Sequence, residues 1–368
     1  MIIFVGIGLL FTLYFGLQLW LWWVWKSSDD HYVDLSPEFP LVTVVIPVRN
    51  EAENLAFCLQ SLQEQNYPEE FIQILVVDDH STDDTLQVTY KFPQVEVVSL
   101  TSAEKGKKNA IRTGVSLARG SVIITLDGDC RVGDQWLRTM ISPLIGSVSM
   151  DAVTGPVWMV AEPSSFIQSY QEMEQAGLNV LTYAGWKTGV VLSASGANLA
   201  YRKSAFLSQD PYEDNMHISS GDDVFLVQKL VRKNGRVGYV RHPQAMVYTN
   251  PVGSISDFIN QRLRWAGKSA AYVHLPTRLY VGLFGILQVS LVVLLVGILW
   301  QPRLGSLLLY GLVGKFLTDY LIISEGMKWA GVPICWQDIL KASLFQVAYV
   351  NYTSVLWLVG TKPRWKDR

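Results

Sequence analysis

Long apolar segments flank the middle of the chain. Residues 2–25 carry no charged side chain and Lys26 follows them directly, which is typical of a spanning helix with a cationic cytosolic flank. A cleaved signal peptide would have a shorter apolar region and a small-residue cleavage site, whereas tryptophans cluster at the end of this run. We therefore predict a retained transmembrane anchor at residues 1–25, followed by a polar linker at 26–40.

Three further apolar runs lie near the C-terminus, at 279–300, 304–324 and 339–360. The first two are joined by a short link and predict a helical hairpin. If all three runs cross the bilayer, the basic tail at 362–368 lies opposite the central domain, against the positive-inside rule. The pattern thus predicts two or three membrane helices within 278–361 and leaves the side of the C-terminus open.

Residues 41–253 alternate short apolar runs with amphipathic helical stretches, which indicates an α/β domain. The strand order favours a mostly parallel sheet, and such sheets bind ligands at the carboxyl ends of their strands. We predict strands at 42–48, 72–77, 95–100 and 121–126, and helices at 51–63, 82–92 and 107–118.

Two further helices, at 165–186 and 255–272, are poorer in charge than ordinary surface helices. They either lie along the membrane face or pack into a core, and the pattern leaves both interpretations open. The second belongs to a segment at 254–277 that we assign to the membrane interface.

Composition narrows the range of functions. The formal net charge of −2 gives no indication of a nucleic-acid partner, whereas 49% hydrophobic residues and 13 tryptophans support an integral membrane protein. The three cysteines have no spacing typical of a zinc site or a disulfide framework. We therefore predict a catalytic domain that faces the reducing cytosol from the cell membrane.

Polar side chains follow the first two predicted strands. Pro47, Arg49 and Glu51 close the first strand and could line a nucleoside pocket, although Asn-Glu before a helix is also an ordinary cap. Asp78 and Asp79 end the second strand, where adjacent carboxylates are costly without a partner. Capping of the next helix by the hydroxyl residues at 81 and 82 explains the acids that follow, but not this pair.

A lysine-rich segment at 104–108 precedes a predicted helix. It combines glycine flexibility, three ammonium groups and free backbone N–H groups, which suits a diphosphate. A solvated lysine run is the commoner explanation of such a cluster in isolation. We predict that Lys107 contacts the diphosphate of a donor substrate.

Asp127 and Asp129 end an apolar strand and are separated by one glycine. In an extended chain, residues two apart point to the same side, so both carboxylates can reach one hard divalent cation. Magnesium or manganese would use them as oxygen ligands while also binding the phosphates of a donor. Asp-Gly-Asp turns also occur outside metal sites, so this motif alone is weak evidence.

Two more polar groups complete the candidate chemistry. Asp222 and Asp223 open a helix, where a carboxylate is either a cap or the general base for an incoming hydroxyl; we favour Asp223 and keep Asp222 as the alternative. Gln261, Arg264 and Trp265 offer an amide, a guanidinium for a phosphate and an indole on which a sugar can stack. A basic helix resting on anionic lipid explains the same three residues.

Taken in order, these motifs resemble the family 2 glycosyltransferases of the GT-A fold. The resemblance is greatest to membrane members such as hyaluronan, chitin and cellulose synthases and ceramide glucosyltransferase, and it covers roughly residues 42–265. It rests on the segments 47–51, 78–79, 106–107, 127–129, 195–198 and 221–223 and on the signature Gln261, Arg264 and Trp265.

The resemblance implies roles for particular residues. Asp79 contacts the uracil base, Asp129 binds the metal and Asp223 meets the acceptor hydroxyl. Asn198 and the signature on the 255–272 helix are assigned to the acceptor sugar and the diphosphate. The family inverts at the anomeric carbon, so the expected reaction moves a sugar from a UDP-sugar to a hydroxyl and gives a β-linked product.

The acceptor is less determined than the donor. Large polymer synthases carry more spanning helices than this chain, which favours a membrane lipid as the acceptor. A processive β-polysaccharide synthase is the alternative. A sugar nucleotidyltransferase is a weaker candidate, because its glycine-rich loop after the first strand is absent at 47–51. A receptor or transporter would concentrate polar residues in the spanning segments rather than at strand ends.

Overall fold

The computed structural model describes residues 2–29, 39–145, 149–162, 165–191, 193–216, 218, 220–269 and 271–361. The predicted tail at 362–368 and most of the predicted linker lie outside these residues. The described strands are β1 Val42–Val48, β2 Ile72–Asp78, β3 Val95–Ser99, β4 Val122–Thr125, β5 Arg131–Val132, β6 Ala152–Thr154, β7 Val157–Met159, β8 Leu199–Arg202, β9 Val237–Tyr239 and β10 Val247–Thr249. The described helices are α1 Ile2–Ser27, α2 Leu55–Gln63, α3 Thr85–Thr89, α4 Lys107–Leu117, α5 Trp136–Ile145, α6 Phe166–Thr188, α7 Lys203–Gln209, α8 Val224–Arg232, α9 Ile255–Ser269, α10 Leu275–Gly297, α11 Leu304–Trp329 and α12 Trp336–Leu358.

One compact unit, within residues 39–160 and 193–251, is built on a seven-stranded sheet with the order β3-β2-β1-β4-β8-β6-β9. The first four of these strands are parallel, and β8 runs antiparallel to both of its neighbours. The strands β5, β10 and β7 form a second, smaller sheet. The predicted α/β fold with a mostly parallel sheet is confirmed, and its first four strands lie within a residue of their predicted bounds.

The central strands β1 and β4 are buried almost throughout, which explains why their sequences are continuous apolar runs rather than alternating ones. Helix α2 covers one face through Leu55 and Leu59, which belong to the same core as Val44. On α4, a Cβ added at Gly114 would lie 2.4 Å from a methyl group of Val45, so only glycine lets this helix lie so close to β1. The N-terminus of α4 thereby reaches the edge where β1 and β4 end.

The helices that follow β1 and β2 begin later than predicted, at Leu55 and Thr85. The two preceding loops hydrogen-bond to each other instead of continuing the helices. The backbone N–H of Asn50 donates to Ser81 Oγ at 3.0 Å, and the N–H of Thr82 donates to Asn50 Oδ1 at 2.8 Å. The prediction that a hydroxyl at 81 or 82 caps α3 is therefore wrong, because the N-cap position belongs to Asp84.

A second compact unit contains α1, α6 and α9 to α12. Residues 161–191, which the sequence places in the catalytic domain at 41–253, belong to this helical unit. Trp25 at the end of α1 packs edge-on against Tyr183 of α6, with ring centroids 5.4 Å apart, and against Trp329 of α11 at 5.8 Å. Helix α6 is thus packed against other helices.

Within the described residues, three helices are long and apolar enough to cross a membrane: Phe4–Ser27, Leu275–Gly297 and Leu304–Trp329. They coincide with the predicted anchor and hairpin. Helix α12 covers the third predicted run and is bound to α11 by polar contacts. The ammonium of Lys315 lies 2.5 Å from Asp319 and donates to Gln346 of α12 at 2.7 Å.

Candidate active site

A single ammonium group joins two of the predicted motifs at the edge of the main sheet. Lys107 Nζ, at the start of α4, lies 2.7 Å from Asp127 Oδ1 after β4 and 3.2 Å from Asp222 Oδ2 before α8. Burial acts against the charged lysine, but the two carboxylates outweigh it and hold the pKa of Lys107 well above its ordinary value. Burial also raises the pKa of the Asp127 carboxyl, against the opposing effect of Lys107.

Gly196 makes room for this charged cluster. A Cβ added to Gly196 would lie 2.5 Å from Asp222 Oδ2 and 3.1 Å from Lys107 Nζ, so any side chain would displace the ion pair. The backbone N–H of Gly196 also donates to Asp223 Oδ2 at 3.1 Å. The sequence places Gly196 in the 195–198 segment, but glycine has no side chain that suggests chemistry. Asn198, two residues later, is the residue of that segment predicted to bind a ligand, because amides often do so.

Asp223 is both a cap and a neighbour of the cluster. Its Oδ1 accepts the backbone N–H of Val224 at 2.6 Å, which makes it the N-cap of α8. The Tyr212 hydroxyl donates to the backbone carbonyl of Asp222 at 3.0 Å and holds the preceding turn. Both of the roles considered for Asp223 therefore fit its position: it caps α8, and its carboxylate lies beside the Lys107 cluster.

Asp127 and Asp129 lie on the turn after β4, and the charge of Asp129 acts on Asp127. The Cys130 thiol lies 3.5 Å from Asp129 Oδ1. In the described part of the chain, no three His, Cys, Asp or Glu side chains form a ready metal cluster. Two carboxylates nonetheless fit magnesium or manganese, because these ions commonly bind one or two protein carboxylates and complete their shell with substrate phosphates and water.

The predicted donor residues at the ends of β1 and β2 brace each other. Arg49 Nη1 donates to the backbone carbonyls of Asp79 at 2.7 Å and His80 at 3.2 Å. Asp79 Oδ2 accepts the N–H of Gly106 at 3.0 Å, which ties the end of β2 to the start of α4. Asp78 Oδ1 accepts the N–H at position 81 at 3.2 Å. The two strand ends and α4 thus form one connected frame.

Pro47 and Glu51 are also predicted to contact the donor. Pro47 lies within β1, opposite Val77 in the register with β2. The backbone N–H of Glu51 donates to Thr85 Oγ1 at 2.8 Å, and its carboxylate lies 3.4 Å from the amide nitrogen of Asn54. Both residues stay predicted donor contacts.

Lys108, which has no role among the sequence predictions, is buried behind the cluster. Its ammonium donates to the backbone and side-chain oxygens of Asn215, at 2.6 and 2.7 Å, and lies 4.8 Å from the centre of the Phe225 ring. Burial lowers its pKa to about 8, while the nearby carboxylates of Asp222 and Asp223 oppose that shift. Lys108 therefore fastens the 210–216 loop, and of the lysine pair only Lys107 reaches the carboxylates.

Asn198, which is predicted to bind acceptor or diphosphate, lies inside the sheet unit, and that role stays a prediction. Its side chain is fully buried. Its amide oxygen accepts Trp136 Nε1–H at 3.1 Å, and its amide nitrogen donates to the carbonyls of Pro156 and Ala245 at 2.7 and 2.8 Å. These bonds use the hydrogen-bonding capacity of the amide inside the core, so Asn198 holds the sheet unit together.

The signature residues Gln261, Arg264 and Trp265 all lie on α9, in the helical unit. Helix α9 buries Phe258 and Arg262. Arg262 lies inside the signature, yet neither the spacing nor the resemblance draws attention to it.

The mostly parallel sheet, with carboxylates at the ends of its strands, is a GT-A-like α/β fold. Residues 43–208 match the family model described as Glycosyl transferase family 2. This part of the chain is therefore similar to the glycosyltransferase family 2 domains that the sequence motifs resemble.

Named relatives agree with that class. Glycosyltransferase AglE of Haloferax volcanii is 30% identical over 199 residues, which are 52% of this chain and 61% of the relative. An N-acetylglucosaminyltransferase of Rhizobium meliloti is 26% identical over 317 residues, 83% of this chain and 71% of the relative. The chain spans less than two thirds of the length of several other curated relatives, including a poly-beta-1,6-N-acetyl-D-glucosamine synthase of Staphylococcus epidermidis.

A solved structure has the same fold over nearly the whole chain. It is the mannosyltransferase PcManGT from Pyrobaculum calidifontis in complex with GDP-Man and Mn²⁺. The alignment covers 98% of this chain and 100% of that one, with a TM-score of 0.64 and 18% sequence identity. At that identity the likeness establishes the fold alone.

Proposed function

We propose that this chain is a membrane-bound, inverting hexosyltransferase that moves a sugar from a UDP-sugar to the hydroxyl of a membrane lipid. The observation that carries the proposal is the cluster in which Lys107 joins Asp127 to Asp222, with Asp223 bound to Gly196 beside it. It gathers a cation, one of the two carboxylates proposed as metal ligands and a proton acceptor around one sheet edge. Those are the groups that displacement of a nucleoside diphosphate requires.

In the proposed reaction, the acceptor hydroxyl gives its proton to the Asp223 carboxylate as its oxygen attacks the anomeric carbon. The new carbon–oxygen bond forms as the bond to the diphosphate breaks, and the nucleoside diphosphate leaves with that electron pair. Attack opposite to the leaving group inverts the anomeric centre and gives a β-linked product. Lys107 places positive charge where the diphosphate becomes more negative.

A divalent cation fits this proposal. Asp127 and Asp129 would hold magnesium or manganese, and the ion would neutralise charge on the departing diphosphate. The mannosyltransferase PcManGT was solved in complex with Mn²⁺, which supports the choice of metal for a fold of this kind.

The donor base and the acceptor are the finer parts of the proposal. The mannosyltransferase PcManGT binds GDP-Man, whereas curated relatives include N-acetylglucosaminyltransferases. The three candidate membrane helices support a lipid acceptor near the bilayer, with an anchor at 1–25 and the catalytic domain on the cytosolic side. A processive polysaccharide synthase is a second candidate, because poly-beta-1,6-N-acetyl-D-glucosamine synthases are among the relatives.

The test is a donor panel. Detergent-purified full-length chain is incubated with membrane lipid extract and radiolabelled UDP-glucose, UDP-galactose, UDP-N-acetylglucosamine or GDP-mannose. We expect one UDP-sugar to label the lipid fraction, with one sugar per acceptor. A ladder of products would establish the processive alternative, and preferential use of GDP-mannose would overturn the uridine assignment. Transfer from none of the donors would contradict the proposed function.

Metal dependence supplies a separate prediction. Replacing Asp129 by Asn removes one carboxylate ligand, so we expect the half-saturating Mn²⁺ concentration for transfer to rise by at least the roughly 10–100-fold that follows loss of a residue that only supports a metal ligand. Asp134→Asn is the matched control, because Asp134 is exposed and lies only a few residues further along the chain. Both variants are titrated with Mn²⁺ after EDTA treatment. Wild-type transfer that survives EDTA would show that no metal is required.

A further inference from the structure

Arg262 is a buried cation inside the signature segment of α9, with only 5% of its surface exposed. Its guanidinium forms an ion pair with Glu174 of α6. It also donates to Gln261 Oε1 at 2.8 Å and lies over the Trp265 ring, 4.2 Å from the ring centre. Arg262 therefore touches two of the three signature side chains, which the resemblance to family 2 glycosyltransferases assigns to the acceptor sugar and the diphosphate.

Glu174 collects partners from three helices. Its Oε1 accepts the hydroxyl of Tyr170 on its own helix at 3.0 Å and that of Tyr349 on α12 at 2.6 Å. Its other carboxylate oxygen faces Arg262. Phe258, one turn before Arg262, packs against Tyr349 with ring centroids 5.1 Å apart and lies 4.4 Å from the guanidinium carbon. The Arg262–Glu174 pair thus joins α9 to α6 and α12.

The geometry of arginine suits this arrangement better than that of lysine. A planar guanidinium can stack on an indole with its face while its edge donates to a carboxylate and to an amide, and a lysine ammonium cannot do all three. The hydrogen bond from Arg262 restricts rotation of the Gln261 amide, and the stacked guanidinium restricts the rotamers of the Trp265 ring. Because Glu174 fixes the guanidinium, it also fixes these two side chains indirectly.

We propose that Arg262 and Glu174 are positioning residues for acceptor recognition, holding the Gln261 amide and the Trp265 indole in the orientation that receives the acceptor. This inference rests on the proposed function and on the assignment of Gln261 and Trp265 to the acceptor, which the resemblance to family 2 glycosyltransferases implies. It adds a consequence: acceptor recognition depends on how α9 is held by α6 and α12, through one buried ion pair and the Tyr349 hydroxyl.

The experiment compares Arg262→Lys and Glu174→Gln with the control Arg303→Lys, an exposed arginine between α10 and α11. Full-length protein is assayed with the labelled donor selected by the panel and increasing membrane lipid extract. We expect each of the two variants to raise the half-saturating lipid concentration about tenfold, with the donor KM and the donor hydrolysis rate within about twofold of wild type. Because both residues act through one contact, the double variant should also show about a tenfold rise rather than about a hundredfold.

Two further variants separate failure of the inference from failure of the proposed function. If Gln261→Ala and Trp265→Phe leave the half-saturating lipid concentration unchanged, the acceptor assignment itself is wrong. If those two raise it while Arg262→Lys and Glu174→Gln do not, the positioning inference alone is overturned. A higher donor KM, slower donor hydrolysis and lower thermal stability of Arg262→Lys would together also overturn it, because a purely structural role predicts all three changes. Tyr349→Phe removes one hydroxyl only and should shift the lipid dependence in the same direction by a smaller factor.

Discussion

Replacing Asp223 by Asn is expected to reduce sugar transfer by about 10²–10⁴-fold, which is the usual contribution of a general base. Asn is the informative substitution because it caps helices about as well as Asp. It can still accept the Val224 N–H that starts α8, it gives up the second bond from the Gly196 N–H, and it cannot take a proton from the acceptor. An Ala substitution would remove the cap and the base together, so its effect could not be interpreted.

Two measurements accompany this variant. Binding of the free nucleoside diphosphate, followed by calorimetry, should equal that of wild type, since the proposed base does not hold the donor. Asp84→Asn serves as the control, because Asp84 occupies the N-cap position of a helix outside the cluster. Asp222→Asn tests the alternative base. Near-normal turnover by Asp223→Asn together with inactivity of Asp222→Asn would move the catalytic role to Asp222.

Lys107→Met is expected to destabilise the sheet unit by about 2 kcal/mol, because it leaves two carboxylates facing each other without their shared cation. This destabilisation is smaller than that expected for breaking a fully buried ion pair, because a third of the Asp127 side chain is exposed to water. We further expect Mn²⁺ to raise the melting temperature of this variant more than that of wild type, since a divalent ion can replace the missing charge among the carboxylates.

Lys105→Met is the matched control, because Lys105 is exposed and lies two residues away on the same segment. Thermal unfolding of the detergent-purified chain, with and without Mn²⁺, gives both quantities. If Lys107→Met melted like Lys105→Met, with the same response to Mn²⁺, the ammonium would not be neutralising Asp127 and Asp222.

The sheet could be predicted from sequence because its signals are local. β1, β2 and β4 are apolar runs ended by polar residues, and their bounds follow from that contrast. The starts of α2 and α3 could not be predicted in the same way. Asn50 and Thr82 are far apart in sequence, and their hydrogen bond holds residues that would otherwise extend both helices.

The candidate site was predictable to the level of motifs rather than of contacts. Asp127, Asp222 and Lys107 were each identified, but nothing in the spacing indicates that one ammonium reaches both carboxylates. For Asn198, the sequence indicates a polar side chain two residues after a motif glycine, but it does not show that the amide donates to the carbonyls of Pro156 and Ala245 inside the sheet unit. Arg262 escaped notice because its partner, Glu174, lies on a helix that is distant in the chain.

Periodicity and composition along the chain are enough to predict the class of this protein: apolar segments on both sides of the middle of the chain, a mostly parallel sheet, and acids where its strands stop. Those features are properties of residues that lie close together in the chain. The folded structure is needed to show which charges meet, which helix each carboxylate caps, and which polar side chains are hydrogen-bonded inside the core. Such contacts join residues separated by tens of positions, and their partners are selected by the packing of whole helices and strands.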